Sequence, residues 1–203
     1  MKLLELFSGT KSVGKVAEQL GYEVISLDLK DADINCNILD WDYKVYPVGH
    51  FDVVWASPPC DTFSNLKSCW IGRNGYTRES IQNDIDNIGL PILRRTEEII
   101  NYFNPTYYFI ENPQTGKMKE YTDKPFYDVD YCKYSDWGYR KRTRVWTNLT
   151  GFTPKLCKRD CGNIVGKKHK EDISRTVSNI NDRYRIPPQL IEELFNCMDL
   201  DLR

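Results

Sequence analysis

The chain has 203 residues, 40% of them hydrophobic and 28% charged, which is typical of one globular domain and excludes a disordered or fibrous protein. No apolar run approaches the roughly 20 residues of a membrane span, and Glu5 interrupts the N-terminal apolar stretch before it could serve as a signal peptide. We therefore expect a cytoplasmic protein whose seven cysteines are reduced, and the net charge of −1 gives no sign by itself of a nucleic-acid binder.

Apolar runs and helical periodicities alternate along the chain. Strands are predicted at residues 2–7, 22–27, 52–56 and 106–110, and helices at 12–20, within 81–103 and at 189–197. Ser12 is expected to cap the first helix, Gly21 to end it, and Pro91 to break or begin the second. Residues 127–134 and 144–147 look like a later, antiparallel pair. This order predicts an α/β fold with a mostly parallel, twisted sheet flanked by helices.

The first predicted strand leads into a turn that suits a nucleotide-like ligand. Gly9 allows close backbone approach, and the helix that follows offers free N–H groups. Lys11 stands where a phosphate-binding loop needs glycine, so the turn is neither a dinucleotide nor a Walker loop. Asp28 ends the next strand and can accept hydrogen bonds from ribose hydroxyls. Asp40 can receive an adenine amino group or belong to a turn.

A cysteine follows the third strand in a rigid setting. Ser57-Pro58-Pro59-Cys60 places two prolines before the thiol, and prolines fix the backbone and hence the direction of the side chain. A fixed thiol at the ligand edge of a sheet suits nucleophilic catalysis, in which nearby cations or a helix end favour the thiolate. An inert packed thiol is the alternative.

A carboxyl follows the fourth strand in the same way. Glu111 ends a hydrophobic strand, and a carboxyl in a partly dry pocket can donate a proton or hydrogen bond near neutral pH. Asn112 and Pro113 are expected to hold its backbone. Ligands bind at the carboxyl ends of parallel strands, so Gly9, Asp28, Cys60 and Glu111 are expected to share one pocket.

A basic segment follows these motifs. Arg140, Arg142 and Arg144 share one face of a predicted strand, and their repulsion calls for phosphate, a substrate ring or an acidic partner opposite. The alternative is an edge strand whose arginines are exposed to solvent. Residues 133–175 hold twelve Lys and Arg against four Asp and Glu, a net charge of +8 that leaves −9 for the rest of the chain. This asymmetry indicates a surface that binds a polyanion, the alternative being a solvated loop.

Cys157, Cys161 and His169 form a candidate zinc site within this segment. They offer three ligands, whereas structural zinc sites have four. On the sequence we therefore assign no metal to the protein.

Taken in order, these motifs resemble those of the S-adenosylmethionine-dependent DNA (cytosine-5) methyltransferases, and the resemblance covers most of the chain. It implies a Rossmann-like methyltransferase fold. It rests on Leu6-Phe7-Ser8-Gly9, on Pro58-Pro59-Cys60 with Phe63-Ser64, on Glu111-Asn112-Pro113, on Arg140, Arg142 and Arg144, and on Arg185-Ile186-Pro187-Pro188.

The resemblance also implies roles for these residues. The catalytic residues would be Cys60, Glu111 and Arg142. The residues that bind S-adenosylmethionine would be Phe7, Ser8, Gly9, Thr10, Ser12, Asp28, Asp40 and Pro58. The residues that bind substrate would be Ser64, Asn112, Arg140 and Arg144. Cys60 would attack carbon 6 of a cytosine flipped out of DNA, and the methyl group would pass to carbon 5. Glu111 would bind ring nitrogen 3 and the exocyclic amine, and Arg142 the carbonyl.

The chain departs from the family pattern in ways that bear on specificity. Arg140 and Asp61 each stand where the family has glutamine. Residues 148–181 leave room for a short basic insertion in place of a target-recognition domain, within a single catalytic domain spanning residues 1–203. We therefore expect loose site selection or an accessory specificity protein, and by analogy a viral, phage or restriction-modification setting. The alternatives are RNA or a cytosine nucleotide as substrate, and a non-catalytic nucleic-acid-binding module.

Overall fold

The computed structural model describes residues 1–73 and 75–201, and only the backbone of residues 199–201. In chain order its strands and α-helices are β1 (Lys2–Leu6), α1 (Ser12–Gln19), β2 (Glu23–Asp28), β3 (Ile34–Asn35), β4 (Val53–Ala56), α2 (Arg78–Asp84), α3 (Leu90–Phe103), β5 (Tyr107–Pro113), β6 (Phe126–Asp130), β7 (Arg142–Thr147), β8 (Ile164–Val165), β9 (Lys168–His169), α4 (Ile180–Tyr184) and α5 (Pro188–Asp201).

Seven strands form one twisted sheet in the order β3-β2-β1-β4-β5-β7-β6. The first five in this order are parallel neighbours, and β7 runs antiparallel to both β5 and β6. The predicted Rossmann-like sheet and its later antiparallel pair are therefore confirmed. Strand order reverses between β1 and β4, and open α/β sheets bind ligands in the crevice at the carboxyl ends of such a pair of strands.

Helices cover both faces of the sheet, and each face has its own core. One core packs α1 and α5 against the sheet through residues such as Val16, Leu190 and Leu194. The other packs the α2–α3 region through Ile81, Ile99 and other apolar side chains. Two covered faces explain why β1 and β4 read as continuous apolar runs rather than alternating ones. No described helix is both long and apolar enough to cross a membrane.

Helix α1 is capped by a strand residue rather than by its own first residue. The buried Glu5 carboxylate on β1 accepts hydrogen bonds from Val13 N at 3.2 Å and Gly14 N at 3.0 Å. The prediction that Ser12 caps the helix is wrong, because Lys11 occupies the cap position in a left-handed conformation. Gly21, with φ of 84°, ends the helix as predicted.

The second predicted helix begins earlier than expected and contains an irregular turn. Thr77 and Ser80 form a reciprocal capping box at the start of α2. A π-helical turn, Ile85–Gly89, then joins α2 to α3 just before Pro91. Proline lacks an N–H and crowds the carbonyl four residues earlier, so the wider turn keeps the helical stretch continuous.

Burial of Glu5 predicts a pH-dependent stability. Burial raises the pKa of this carboxyl from 4.5 to about 7, although Gly14 N, Val13 N and Lys11 oppose the shift. The folded protein then keeps a proton that the unfolded chain releases, so the contribution of Glu5 to the free energy of unfolding falls as pH rises from 4.5 to about 7. The loss corresponds to about 3 kcal/mol.

Denaturant unfolding of wild type and Glu5→Gln at pH 5 and pH 8 measures this contribution. Wild type should lose stability relative to the variant at the higher pH, since glutamine does not titrate. Equal pH dependence of the two proteins would contradict the assignment.

Candidate active site

The crevice between β1 and β4 collects the motifs that follow these strands. Ser57 N donates to Leu6 O at 3.2 Å, which joins the two strand ends directly. Pro58 is buried and Cys60 is half-buried beyond it. The parallel register Leu6↔Ala56 thus brings the Ser8-Gly9 turn and the cysteine loop to one edge of the sheet.

The cysteine loop is braced from three sides. Asn112 Nδ2 donates to Pro58 O at 2.8 Å, and Lys117 N donates to Phe63 O at 2.8 Å. Gly89 of the π-helical turn lies so close that an added Cβ would meet Thr62 Oγ1 at 2.5 Å. These contacts fix the loop that carries Cys60 without using the thiol itself.

Glu111 lies in a small polar cluster at the end of β5. Its side chain is buried, and Tyr131 Oη donates to its Oε1 at 2.9 Å. Lys141 Nζ lies 3.7 Å from the same oxygen and also donates to Arg183 O at 3.2 Å. Burial and the neighbouring carboxylate raise the pKa of Tyr131, so its hydroxyl stays protonated and keeps donating to Glu111.

The charges of this cluster act on the cysteine. Burial raises the pKa of the Cys60 thiol, the Lys141 ammonium lowers it, and the carboxylates of Glu111 and Asp61 raise it. Cys60, Glu111 and Lys141 therefore belong to one electrostatic unit. Lys141 is the cation in this unit that favours the reactive thiolate.

The predicted arginine face is occupied by acidic partners. Arg142 binds Asp130 through Nε at 3.0 Å and Nη2 at 2.6 Å. Arg144 binds Asp128 through Nε at 2.7 Å and Nη2 at 2.9 Å. Arg140 precedes β7, is exposed, and its Nε lies 3.9 Å from Asp130 Oδ1. The acidic partner is thus the alternative that the structure contains, and a contact of Arg142 with substrate stays a prediction.

The turn after β1 has the features of a ligand loop. Phe7 and Lys11 have left-handed φ values of 59° and 54°, which are rare for residues with a side chain. Gly9 N donates to Asp28 Oδ2 at 2.8 Å, so the ends of β1 and β2 are joined. The buried Ser8 hydroxyl has no hydrogen-bond partner among the residues that the structure describes.

Three further residues that were predicted to bind cofactor or substrate are Ser12, Asp40 and Ser64. Ser12 Oγ contacts Thr10 Oγ1 at 2.7 Å and accepts from Ile186 N at 3.2 Å, which ties the turn to the segment before α5. Asp40 is exposed in the loop after β3. Ser64 Oγ accepts from Leu66 N at 3.3 Å and so begins a short 3₁₀-helix.

Sequence reasoning missed Lys141 and Tyr131 at this site. Period-two alternation already separates Lys141 from Arg142 and Arg144, but it does not say which set faces Glu111. The antiparallel register Glu111↔Val145 decides this, since residues 141, 143 and 145 alternate with the arginines. Tyr131 has no local signal, because it meets Glu111 only through the fold.

Comparisons with known proteins agree with the geometry. A probable DNA (cytosine-5)-methyltransferase of frog virus 3 (isolate Goorha) is 46% identical over 217 residues, covering 97% of this chain and 99% of that protein. No protein-family model matches the chain.

Two solved structures share the fold. The Entamoeba histolytica methyltransferase EhMeth has a TM-score of 0.55 at 17% identity and covers 85% of this chain. A putative DNA modification methyltransferase encoded within a prophage of E. coli has a TM-score of 0.50 at 12% identity and covers 77% of it. This chain spans 57% and 51% of those two chains.

Removal of the Lys141 charge should change the titration of Cys60. We expect Lys141→Met to raise the pKa of the thiol, because Lys141 is the largest influence opposing its burial. Alkylation of Cys60 by iodoacetamide, followed across pH by peptide mass spectrometry, should then require a higher pH than in wild type.

Two further variants complete this test. Lys141→Arg keeps the charge and should keep the wild-type profile, and Lys44→Met removes an exposed lysine outside the cluster and should do the same. An unchanged profile in Lys141→Met would show that Lys141 does not act on Cys60.

Proposed function

The chain belongs to the DNA (cytosine-5)-methyltransferase family, and we propose that it transfers a methyl group from S-adenosylmethionine to carbon 5 of cytosine in DNA. The observation that carries this proposal is the cluster of Cys60, Glu111 and Lys141 beside the crevice between β1 and β4. A nucleophile, a buried carboxyl and a cation together supply what attack on an aromatic ring requires.

The residues at the crevice suit S-adenosylmethionine. Ser8 brings a buried hydroxyl without a partner, and Gly9 and Asp28 offer backbone and carboxylate groups for the polar parts of a nucleoside. Phe7, Thr10, Ser12, Asp40 and Pro58 complete the proposed binding set. When bound, S-adenosylmethionine supplies a methyl group on a positively charged sulfur.

Cys60 and Glu111 would act on the cytosine. The Cys60 thiolate forms a bond to carbon 6, and the electron pair displaced from the 5,6 double bond makes carbon 5 nucleophilic. Glu111 binds ring nitrogen 3 and the exocyclic amine, and so offsets the charge that develops on the ring. After methylation, loss of the carbon 5 proton and departure of the Cys60 thiolate restore the aromatic ring.

The resemblance gives Arg142 a contact with the base carbonyl, but the cation that lies beside Glu111 is Lys141. Arg142 is bidentate on Asp130, whereas the Lys141 ammonium lies beside Glu111 and acts on Cys60. We infer that Lys141 favours the thiolate and holds Glu111 in place. Asn112 positions the cysteine loop through Pro58, and its contact with the base stays a prediction.

The DNA would lie on the basic segment, residues 133–175. This segment overlaps the short insertion, residues 148–181, which would take the place of a target-recognition domain. Several of its cations are exposed, among them Lys158, Arg159, Lys167, Lys168 and Lys170. Phosphate contacts position a protein without reading sequence, which agrees with a short, loosely selective segment. The target cytosine would be flipped out of the stack to reach Cys60.

Replacement of the nucleophile tests the chemistry. Cys60→Ser should abolish methyl transfer to duplex DNA while leaving S-adenosylmethionine binding intact, because it replaces the sulfur of a side chain that is not in the proposed binding set and leaves the backbone of the loop unchanged. Wild type should form a covalent complex with an oligonucleotide containing 5-fluorocytosine, which has no carbon 5 proton to lose. Methylation by the variant at the wild-type rate would contradict the assignment, and parallel assays with tRNA distinguish the nucleic-acid class.

Neutralising the tip of the basic segment tests the DNA surface. Lys167→Gln/Lys168→Gln should weaken DNA binding and lower the slope of log affinity against log salt by about 2, one unit for each lost phosphate contact. Lys44→Gln/Arg94→Gln removes two charges from exposed residues elsewhere and should leave the slope unchanged. Equal slopes in wild type and both double variants would show that Lys167 and Lys168 do not contact the DNA.

A further inference from the structure

Four potential metal ligands meet outside the catalytic cluster, and three of them belong to the basic segment. Their ligand atoms all lie within 4.8 Å of one another. They are Cys132 from the turn after β6, Cys157 and Cys161 from the loop after β7, and His169 from β9. Cys132 supplies the fourth ligand that the sequence pattern lacked, so the expected count of three is wrong.

The distances among Cys157, Cys161 and His169 match the edges of a tetrahedral zinc site, and Cys132 Sγ lies within 4.8 Å of the same three ligand atoms. A zinc ion bonded to sulfur at about 2.3 Å and nitrogen at about 2.0 Å implies S–S edges near 3.8 Å and S–N edges near 3.5 Å. Cys157 Sγ lies 3.6 Å from Cys161 Sγ and 3.6 Å from His169 Nε2. Cys161 Sγ lies 3.4 Å from the same nitrogen. A disulfide, by contrast, needs sulfur atoms at about 2.05 Å and leaves the histidine without a role.

Backbone donors and buried anchors surround the cluster. Arg159 N donates to Cys157 Sγ at 3.3 Å, an arrangement that stabilises a metal-bound thiolate. Asp130 Oδ2 accepts from Cys157 N at 2.8 Å, which fastens the ligand loop to the end of β6. Metal ligands are commonly held by such outer contacts, and their presence here gives the site a fixed shape.

The cluster also lies next to a short hairpin, β8 and β9, that requires contacts with the rest of the protein to be stable. The hairpin of β8 and β9 has strands of two residues each, and so small a hairpin is not stable alone. Asn163, just before β8, is buried and donates to Ser135 O at 2.8 Å, and His169 then anchors β9. A metal that joins Cys132 to His169 would bind this hairpin to the main sheet.

We propose that Cys132, Cys157, Cys161 and His169 form a structural zinc site that holds the basic hairpin against β6 and β7. The site is closed, because four protein side chains fill a tetrahedral ion and leave no position for substrate. Its role is therefore to order the segment rather than to catalyse.

Metal analysis of the reduced, full-length protein tests the site. Wild type should contain about one zinc per chain and, after exchange with Co²⁺, show the visible absorption of tetrahedral thiolate-bound cobalt. His169→Gln and Cys161→Ser, the less buried ligands, should lower zinc affinity by more than about 100-fold, beyond the loss typical of changes outside a ligand set. Cys69→Ser removes an exposed cysteine outside the cluster and should keep the zinc.

Limited trypsin digestion reports on the hairpin itself. Cleavage after Lys167 and Lys168 should accelerate in His169→Gln and in chelator-treated wild type, while circular dichroism still shows the folded sheet. Zinc-free wild type that gains no protection on adding Zn²⁺ would overturn the proposal. So would equal zinc binding by wild type and His169→Gln, or a Cys157–Cys161 disulfide in protein whose thiols were blocked at lysis.

Discussion

A buried carboxylate at the end of β6 holds together the part of the molecule that contains β6, β7 and the cysteine cluster. Asp130 has no exposed surface, and a charge in that position is tolerated only if it is paired and hydrogen-bonded. Arg142 and the Cys157 N–H supply those partners. One side chain therefore joins β6, β7 and the loop that carries the cysteine cluster.

This pairing has a consequence for the catalytic cluster. If Arg142 turned towards a substrate, the buried Asp130 would lose its bidentate partner and keep only the Cys157 N–H and the exposed Arg140, 3.9 Å away, which costs free energy because a buried charge needs close pairing. Strand alternation then assigns the opposite face to Lys141, next to Glu111. The contact with Glu111 is therefore made by a flexible ammonium, which acts as a point charge and not as a bidentate fork.

Local patterns were sufficient for much of the fold. The apolar runs of β1 and β4, the Gly21 stop and the Pro-Pro-Cys loop each carry their signal within a few residues, and the carboxyl-edge rule brought Gly9 and Cys60 together. Features that depend on contacts distant in sequence were not predictable in this way. Glu5 caps a helix that begins beyond the turn. Strand β3, with two residues, is too short to produce a periodicity.

In the catalytic and metal clusters too, some residues have a local sequence signal and others are brought in only by contacts distant in sequence. Cys60 follows β4 and Glu111 lies near the end of β5, and both were identified by their place at the carboxyl ends of strands, whereas Tyr131 reaches Glu111 across the sheet. Cys157 and Cys161 are recognisable as a pair, but Cys132 joins them only because β6 and the later loop meet at Asp130. Like small domains in general, the basic segment buries too little apolar surface to be stable in one conformation by itself. Side-chain ligands from three separate parts of the chain can supply that order, so this protein can present a fixed basic surface without the hydrophobic core of a further domain.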